Sequence, residues 1–347
     1  MARDTAPIRE DERFDETRVA GYLREHLGEL VGRGEIVFDQ FPGGAANLTY
    51  RAVAGDTELV LRRAPHGRVA RGGHDMKREH RVLSRLWQAY PKAPRSYHFC
   101  EDPEVMGKPF FVMERRHGWV IRQKWPEPYE DAPDRQRNLA GSLVDSLVEL
   151  HLVDPASVGL EDLGRPEGFV ERQVTGWTRR WEAAKTREVG DMETAAGLLG
   201  SRQPPPGPTT LLHNDFKLDN TMASDEDEIV AVFDWDMATR GDALVDLGTL
   251  LAYWPDPDAP TYPIFGEFSV SLSAVMSKAE VAERYCGETG FDLRHVRYYE
   301  GLALFRIAVI IEQIYARYVR GQTSDDRFAR FQPIAPVLAG AACELLD

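Results

Sequence analysis

Apolar side chains recur along the chain with two different periods. Between Thr17 and Leu30, Val19, Tyr22, Leu23, Leu27 and Leu30 fall three or four residues apart, which predicts a helix. Two short runs follow, Ile36–Phe41 and Leu48–Val53, and a third, Glu58–Arg63, comes after Gly55-Asp56. Their length and composition predict a three-stranded antiparallel meander. Side chains alternate across a strand, so Leu59 and Leu61 share one face of the third run, and Val60 and Arg62 the other. Met76–Tyr90 reads as a helix with Val82, Leu83, Leu86 and Trp87 inward, and Phe110–Arg115 as a strongly apolar strand. Beyond Arg115–Gly118 the helical period takes over. Arg135–Leu152 carries the stripe Leu139, Leu143, Leu147 and Leu150, and Phe169–Lys185 carries Trp177 and Trp181 on one face, as core or as cavity lining. A proline-rich linker at 203–208 precedes short strands and loops at 209–236, and long helices are predicted near Lys278–Thr289 and His295–Arg320. The expected architecture is α+β: a small antiparallel-sheet lobe over residues 1–116, then a larger, mainly helical lobe over 117–347. Residues 1–16, charged and without an apolar period, read as a frayed arm.

Composition narrows the function classes. Lys and Arg total 42 against 56 Asp and Glu, a net charge of −14, which argues against nucleic-acid or anionic-membrane partners. The apolar stretch Leu302–Ile314 is broken by Arg306 and Glu312, so no run reaches the ~18 apolar residues of a membrane-spanning helix. Three widely spaced cysteines, Cys100, Cys286 and Cys343, form neither a disulfide framework nor a zinc motif. No apolar leader is visible near Met1, and the expected location is cytoplasmic. The sequence is silent on oligomeric state.

Candidate chemistry concentrates between residues 201 and 250, where ten acidic residues face only Arg202, Lys217 and Arg240. The run Asp225–Glu228 reads as a charged hairpin turn, and Asp242 as a turn or cap. Of the others, Asp215 and Asp219 sit in His213-Asn214-Asp215-Phe216-Lys217-Leu218-Asp219-Asn220 and Asp234 and Asp236 in Val232-Phe233-Asp234-Trp235-Asp236, after short strand-like runs, with Asp246 beyond them. A strand end delivers a side chain from a fixed backbone, so carboxylates there can converge. Converging carboxylates repel one another, and a divalent cation relieves the repulsion. Magnesium suits oxygen donors of Asp and Asn and also binds phosphates.

This pattern resembles the protein-kinase-like phosphotransferases: His213-x-Asp215, Asn220 five residues later, then Asp234 after an apolar strand. With Asp234-Trp235-Asp236 in place of Asp-Phe-Gly, and Gly241 to Leu247 behind it, the chain looks like the aminoglycoside-phosphotransferase family, in particular the branch that occurs fused to acyl-CoA dehydrogenases. The resemblance runs from about residue 35 to 255. It implies a protein-kinase-like two-lobed fold and an enzyme that uses ATP or GTP with Mg2+. Asp215 would be the catalytic residue that orients the acceptor hydroxyl, with Lys217 offsetting charge. Asn220 and Asp234 would hold the metal, with Asp236 a possible second ligand. His213 and Asp246 would brace the loop from behind. In the first lobe, Gly43, Gly44, Ala45 and Asn47 occupy the place of the phosphate-covering turn. Val60 would contact the base, and Arg62, where most such enzymes have Lys, would grip phosphate with Glu79 as its partner. Met113, Glu114 and Arg115 fall at the hinge, where backbone groups would meet the adenine rim.

The implied reaction moves the γ-phosphoryl group to a hydroxyl of a small molecule, aminoglycoside-like or of hydroxyacyl type. The two groups of residues are expected to face one crevice. Two other readings stand beside it: a catalytically silent nucleotide-binding module, and a kinase acting on proteins, for which the gap between Asp234 and Asp246 leaves little room for an activation segment.

Overall fold

The computed structural model describes residues 4–42, 47–65, 75–254, 270–272, 274–323 and 325–347. They divide into two compact units: Met1–His117 with Ala156–Leu160 and Val230–Ala238, and Gly118–Pro155 with Glu161–Ile229 and Thr239–Asp347.

The first unit is built on a five-stranded antiparallel sheet in the order β1-β2-β3-β5-β4, from β1 (Ile36–Gln40), β2 (Leu48–Ala54), β3 (Thr57–Arg63), β4 (Ser96–Cys100) and β5 (Phe110–Glu114). The meander is as the alternation predicts, with β4 and β5 added. Leu59 and Leu61 join Tyr50, Ala52, Phe110 and Val112 in one core, which α1 (Glu16–Val31) closes with Val19 and Leu23. Asp15 caps α1 by accepting the Arg18 N–H at 3.0 Å. Val60 and Arg62 lie on the opposite face, with α2 (Met76–Leu86). Asp75 caps α2, and Glu79, Val82, Leu83 and Leu86 form its buried stripe.

The N-terminal residues correct the sequence reading. From Asp4 onward they are pinned rather than frayed. Ala6 and Gln40 exchange two backbone hydrogen bonds of 2.8 Å, and the Thr5 hydroxyl donates to Asp39 at 3.0 Å. The buried Arg63 guanidinium donates to the Glu12 and Met106 carbonyls at 2.8 and 2.5 Å. Single pairings of this kind leave no period in a charged segment. The short helix α3 (Pro103–Met106), which supplies the Met106 carbonyl, was also below the resolution of periodicity.

The second unit is mainly helical. It contains α4 (Pro133–Leu152), α5 (Phe169–Ala184), α6 (Gly190–Ser201), strands β6 (Thr209–Leu212) and β7 (Thr221–Ala223), and the start of β8 (Ile229–Val232), which leads back into the first unit. Strand β9 (Thr239–Asp242) pairs antiparallel with β6. Then come α7 (Leu244–Ala252), α8 (Lys278–Thr289), α9 (Val296–Val319) and α10 (Ile334–Leu346). Helices α7 and α9 cross closely at Gly248, where a Cβ would stand 2.4 Å from the Tyr299 carbonyl carbon. Trp177 and Trp181 are both buried. Among the described residues no helix is long and apolar enough to cross a membrane.

Candidate active site

In the second unit β6 ends at Leu212, and the loop 213–220 begins inside the core. His213 is fully buried and Asn214 nearly so. Their backbone is held by one residue of α7. The Asp246 Oδ2 accepts the His213 N–H at 2.6 Å, and Oδ1 accepts the Asn214 N–H at 2.7 Å. The same Oδ2 lies 3.4 Å from His151 Nε2, and His151 Nδ1 is 2.6 Å from the Tyr285 hydroxyl. Burial alone would push the Asp246 carboxyl up, but His151, His213 and these backbone donors outweigh it and hold the carboxyl below its usual range. Asn214 adopts the left-handed conformation (φ 69°), which reverses the chain and brings Asp215 outward.

The Asp215 side chain is 31 % exposed, whereas the two residues before it, His213 and Asn214, are buried. Its N–H donates to His213 Nδ1 at 3.2 Å. The Asn220 amide nitrogen donates to both the carbonyl and Oδ2 of Asp215 at 2.9 Å. The amide oxygen of Asn220 therefore points away from Asp215. Lys217 Nζ lies 3.1 Å from Asp215 Oδ2, 3.8 Å from Asp219 Oδ2 and 4.8 Å from the centre of the Tyr253 ring. Burial disfavours the Lys217 charge, yet the carboxylates of Asp215 and Asp219 raise its pKa above the ordinary value, so it stays an ammonium. Tyr253 is pushed up to about 12, chiefly by burial, and remains a phenol.

In the first unit the β3 register places Val60 opposite Met113 of β5 and Arg62 opposite Phe111. Arg62 Nε lies 3.3 Å from Glu79 Oε2, and the guanidinium also bonds the Asp234 carboxylate. Glu79 is buried, and that burial, with the charges of Asp234 and Asp236, pushes its carboxyl up to about 8 against the pull of Arg62. Asp234 adopts the left-handed region (φ 70°) immediately before the turn Trp235–Met237. Trp235 anchors that turn. It is buried, its indole N–H donates to the Val232 carbonyl at 2.8 Å, and its ring meets Tyr90 edge-on. Gly43, Gly44 and Ala45 lie outside the described residues, and Asn47 is buried at the foot of β2. At the end of β5, the Glu114 N–H is committed to the Arg95 carbonyl at 2.8 Å and its carboxylate to Arg116 at 3.1 Å. Arg115 pairs with Asp4 and stacks 4.8 Å over Phe41.

Oxygen donors of the kind a hard cation takes are the carboxylates of Asp234 and Asp236 in the first unit and, separately, the amide oxygen of Asn220 in the second. All are oxygen donors, as magnesium prefers, and Asp234 is 34 % exposed. Each donor is thus of the chemical type that ion takes. Residues the sequence reading passed over are Tyr253 and Arg306. Arg306 donates to the Asn214 carbonyl at 2.9 Å, and its signal was present as the charge that interrupts an apolar helix. Asp242, read as a turn or cap, is buried and also accepts the Tyr299 hydroxyl at 2.6 Å and the Gly207 N–H at 2.7 Å.

A sequence model described as the phosphotransferase enzyme family matches residues 37–296. The mouse acyl-CoA dehydrogenase family member 10 is 30% identical over 324 residues, covering 92% of this chain, and this chain spans 30% of that relative's length. An aminoglycoside-phosphotransferase-like crystal structure from Ralstonia eutropha superposes with a TM-score of 0.81 at 26% identity, over 96% of this chain and 98% of that one. An aminoglycoside phosphotransferase in ternary complex with AMP-PNP and hygromycin B shares the fold, with a TM-score of 0.60 at 16% identity over 94% and 98% of the two chains. The kinase-like α+β fold expected from the sequence is the one present.

Proposed function

The chain belongs to the phosphotransferase enzyme family, and from that premise we propose that it moves the γ-phosphoryl group of ATP or GTP to a hydroxyl of a small-molecule acceptor. The observation that carries this reading is Asp215: a half-exposed carboxylate on a loop whose backbone is gripped from inside the core by Asp246.

Phosphoryl transfer leaves the protein mainly the tasks of positioning and of neutralising charge. Asp215 would accept a hydrogen bond from the acceptor hydroxyl, align its oxygen, and take the proton at Oδ1 or Oδ2 late in transfer. Asn220 fixes the rotamer of that carboxylate. Lys217, which stays charged, would offset negative charge on the transferring oxygens. Arg62, anchored by Glu79, would hold the nucleotide phosphates in bidentate fashion, which suits a guanidinium better than an ammonium. Val60 and Met113 would pack on the base. Asp234, Asp236 and Asn220 would hold magnesium, which when bound neutralises phosphate charge. In the present structure Arg62 and Asp234 neutralise each other, and a nucleotide with its cation would exchange that pair for two better-matched ones.

Thermal unfolding with ATP or GTP, with and without magnesium, tests the binding half. Nucleotide at ~100-fold its dissociation constant should add about 2.7 kcal/mol of stability. A panel of hydroxyl-bearing acceptors, cationic and anionic, then tests transfer. No stabilisation by any nucleotide would overturn the proposal, and label appearing in protein rather than in a small molecule would redirect it to a protein kinase.

A further inference from the structure

Helix α9 is buried along most of its length, and three of its buried residues are charged: Glu300, Arg306 and Glu312. Two are answered by opposite charge. Glu300 pairs with Lys278, and Glu312 takes Arg187 at 2.9 Å and the Thr186 hydroxyl at 3.0 Å. Arg306 is different. It is 6 % exposed, and among the described residues its hydrogen bonding is one donation, from Nη2 to the Asn214 carbonyl. Among the described residues Nη1 is buried without a hydrogen-bond partner, and the guanidinium carbon lies 5.5 Å from the centre of the Trp177 ring. Burying a cation is costly, and among the described residues what faces Arg306 is one neutral carbonyl, the Trp177 ring and the more distant charges of Asp215 and Asp246, with no direct ion pair. An aliphatic side chain would serve the core as well. The charge is therefore placed for something other than packing.

The carbonyl it holds belongs to the peptide between Asn214 and Asp215. The N–H end of that same peptide donates to His213 Nδ1. A peptide is planar, so a grip on both ends fixes its plane, and with it the direction in which the Asp215 Cβ leaves the backbone. Asn214 needs that grip because its φ of 69° is a conformation that non-glycine residues hold only when surroundings enforce it. Asp246 secures the preceding N–H from α7, and Arg306 secures the following C=O from α9.

We infer that Arg306 is a positioning residue for phosphoryl transfer, aiming Asp215 at the acceptor hydroxyl through the Asn214 carbonyl. The inference rests on the phosphotransferase reading for its consequence and on the hydrogen bonds for its geometry. A misplacement near 1 Å costs transfer on the order of 10²-fold.

The test uses the full chain with Arg306→Met, Arg306→Lys and Asp215→Asn, singly and with Arg306→Met combined with Asp215→Asn. Nucleotide affinity is read by thermal shift with magnesium and ATP or GTP. Turnover is read as hydrolysis to water and as transfer to any active acceptor. Hydrogen exchange is followed by mass spectrometry across 209–220 and across α9. Turnover of Arg306→Met should fall roughly 10²-fold while nucleotide affinity stays within about twofold, and Lys, which keeps a donor, should recover part. Arg306→Met should add no further loss once Asp215 is Asn. Exchange should quicken in the loop by about tenfold or more and stay unchanged in α9.

Unchanged turnover, an equal loss in the Asp215→Asn background, or exchange quickened throughout α9 would each overturn the assignment. Variants that fail to fold by circular dichroism would make Arg306 a packing residue and overturn it too. A wild-type chain that binds no nucleotide, yet loosens only in the loop on substitution, would sink the phosphotransferase reading and leave the positioning geometry standing.

Discussion

Replacing Asp246 by Asn keeps the shape of a buried side chain and removes half of its accepting capacity. The carboxylate receives the His213 and Asn214 N–H groups on separate oxygens at 2.6 and 2.7 Å. An amide offers one oxygen, so the other N–H faces an NH2 group. An orphaned buried donor costs about 1–3 kcal/mol. The surviving bond loses its ionic character, and charge-assisted bonds are roughly twice as strong as neutral ones, which adds about 1 kcal/mol. The expected loss is thus about 2–4 kcal/mol, or roughly 5 °C in melting temperature for a chain of this size. Urea unfolding at neutral pH measures it directly. The pH dependence supplies a second check. The folded carboxyl titrates below its unfolded value. Its contribution is fully present above the ordinary pKa of ~3.9 and is lost as pH falls through the folded value. The gap between wild type and variant should be flat near neutrality and close in acid. A variant as stable as wild type at pH 7, or a gap that persists in acid, would refute the reasoning.

Three further outcomes follow from the same geometry. Asp215→Asn should lower transfer by ~10²–10⁴-fold and leave nucleotide binding intact, and equal turnover in titrated transfer assays would remove Asp215 from the chemistry. Glu79, pushed up to about 8, titrates above its unfolded value, so its stabilising contribution is whole below about 4.5 and is lost as pH rises through about 8. Unfolding midpoints between these limits should fall with pH in wild type and stay flatter in Glu79→Gln; parallel curves would contradict the assignment. Gly248→Ala forces a methyl to within 2.4 Å of the Tyr299 backbone and should cost about 3 kcal/mol by denaturant unfolding, because neither helix axis can yield cheaply.

The meander, the amphipathic helices and the loop 213–220 were legible because each writes a period or a fixed spacing into the chain. Leu59 and Leu61 do enter one core while Val60 and Arg62 face α2, as alternation requires. What stayed hidden depends on tertiary partners. Arg306 and Glu312 were visible as interruptions of an apolar helix, but nothing local says that one reaches Asn214 and the other Arg187. The pinned N-terminal residues were misread because a segment held by a few specific pairings looks, in composition, like one held by none. Nor does any local signal indicate that Val230–Ala238, with Asp234, clusters with the first unit.

The two backbone bonds between Ala6 and Gln40 have a consequence for how the protein behaves in company. β1 ends the sheet order, and an uncovered terminal strand offers its free N–H and C=O groups as a template for a neighbouring molecule. The leading residues occupy part of that template themselves, so removing the first ten residues would turn the flank of the sheet into a site for self-association.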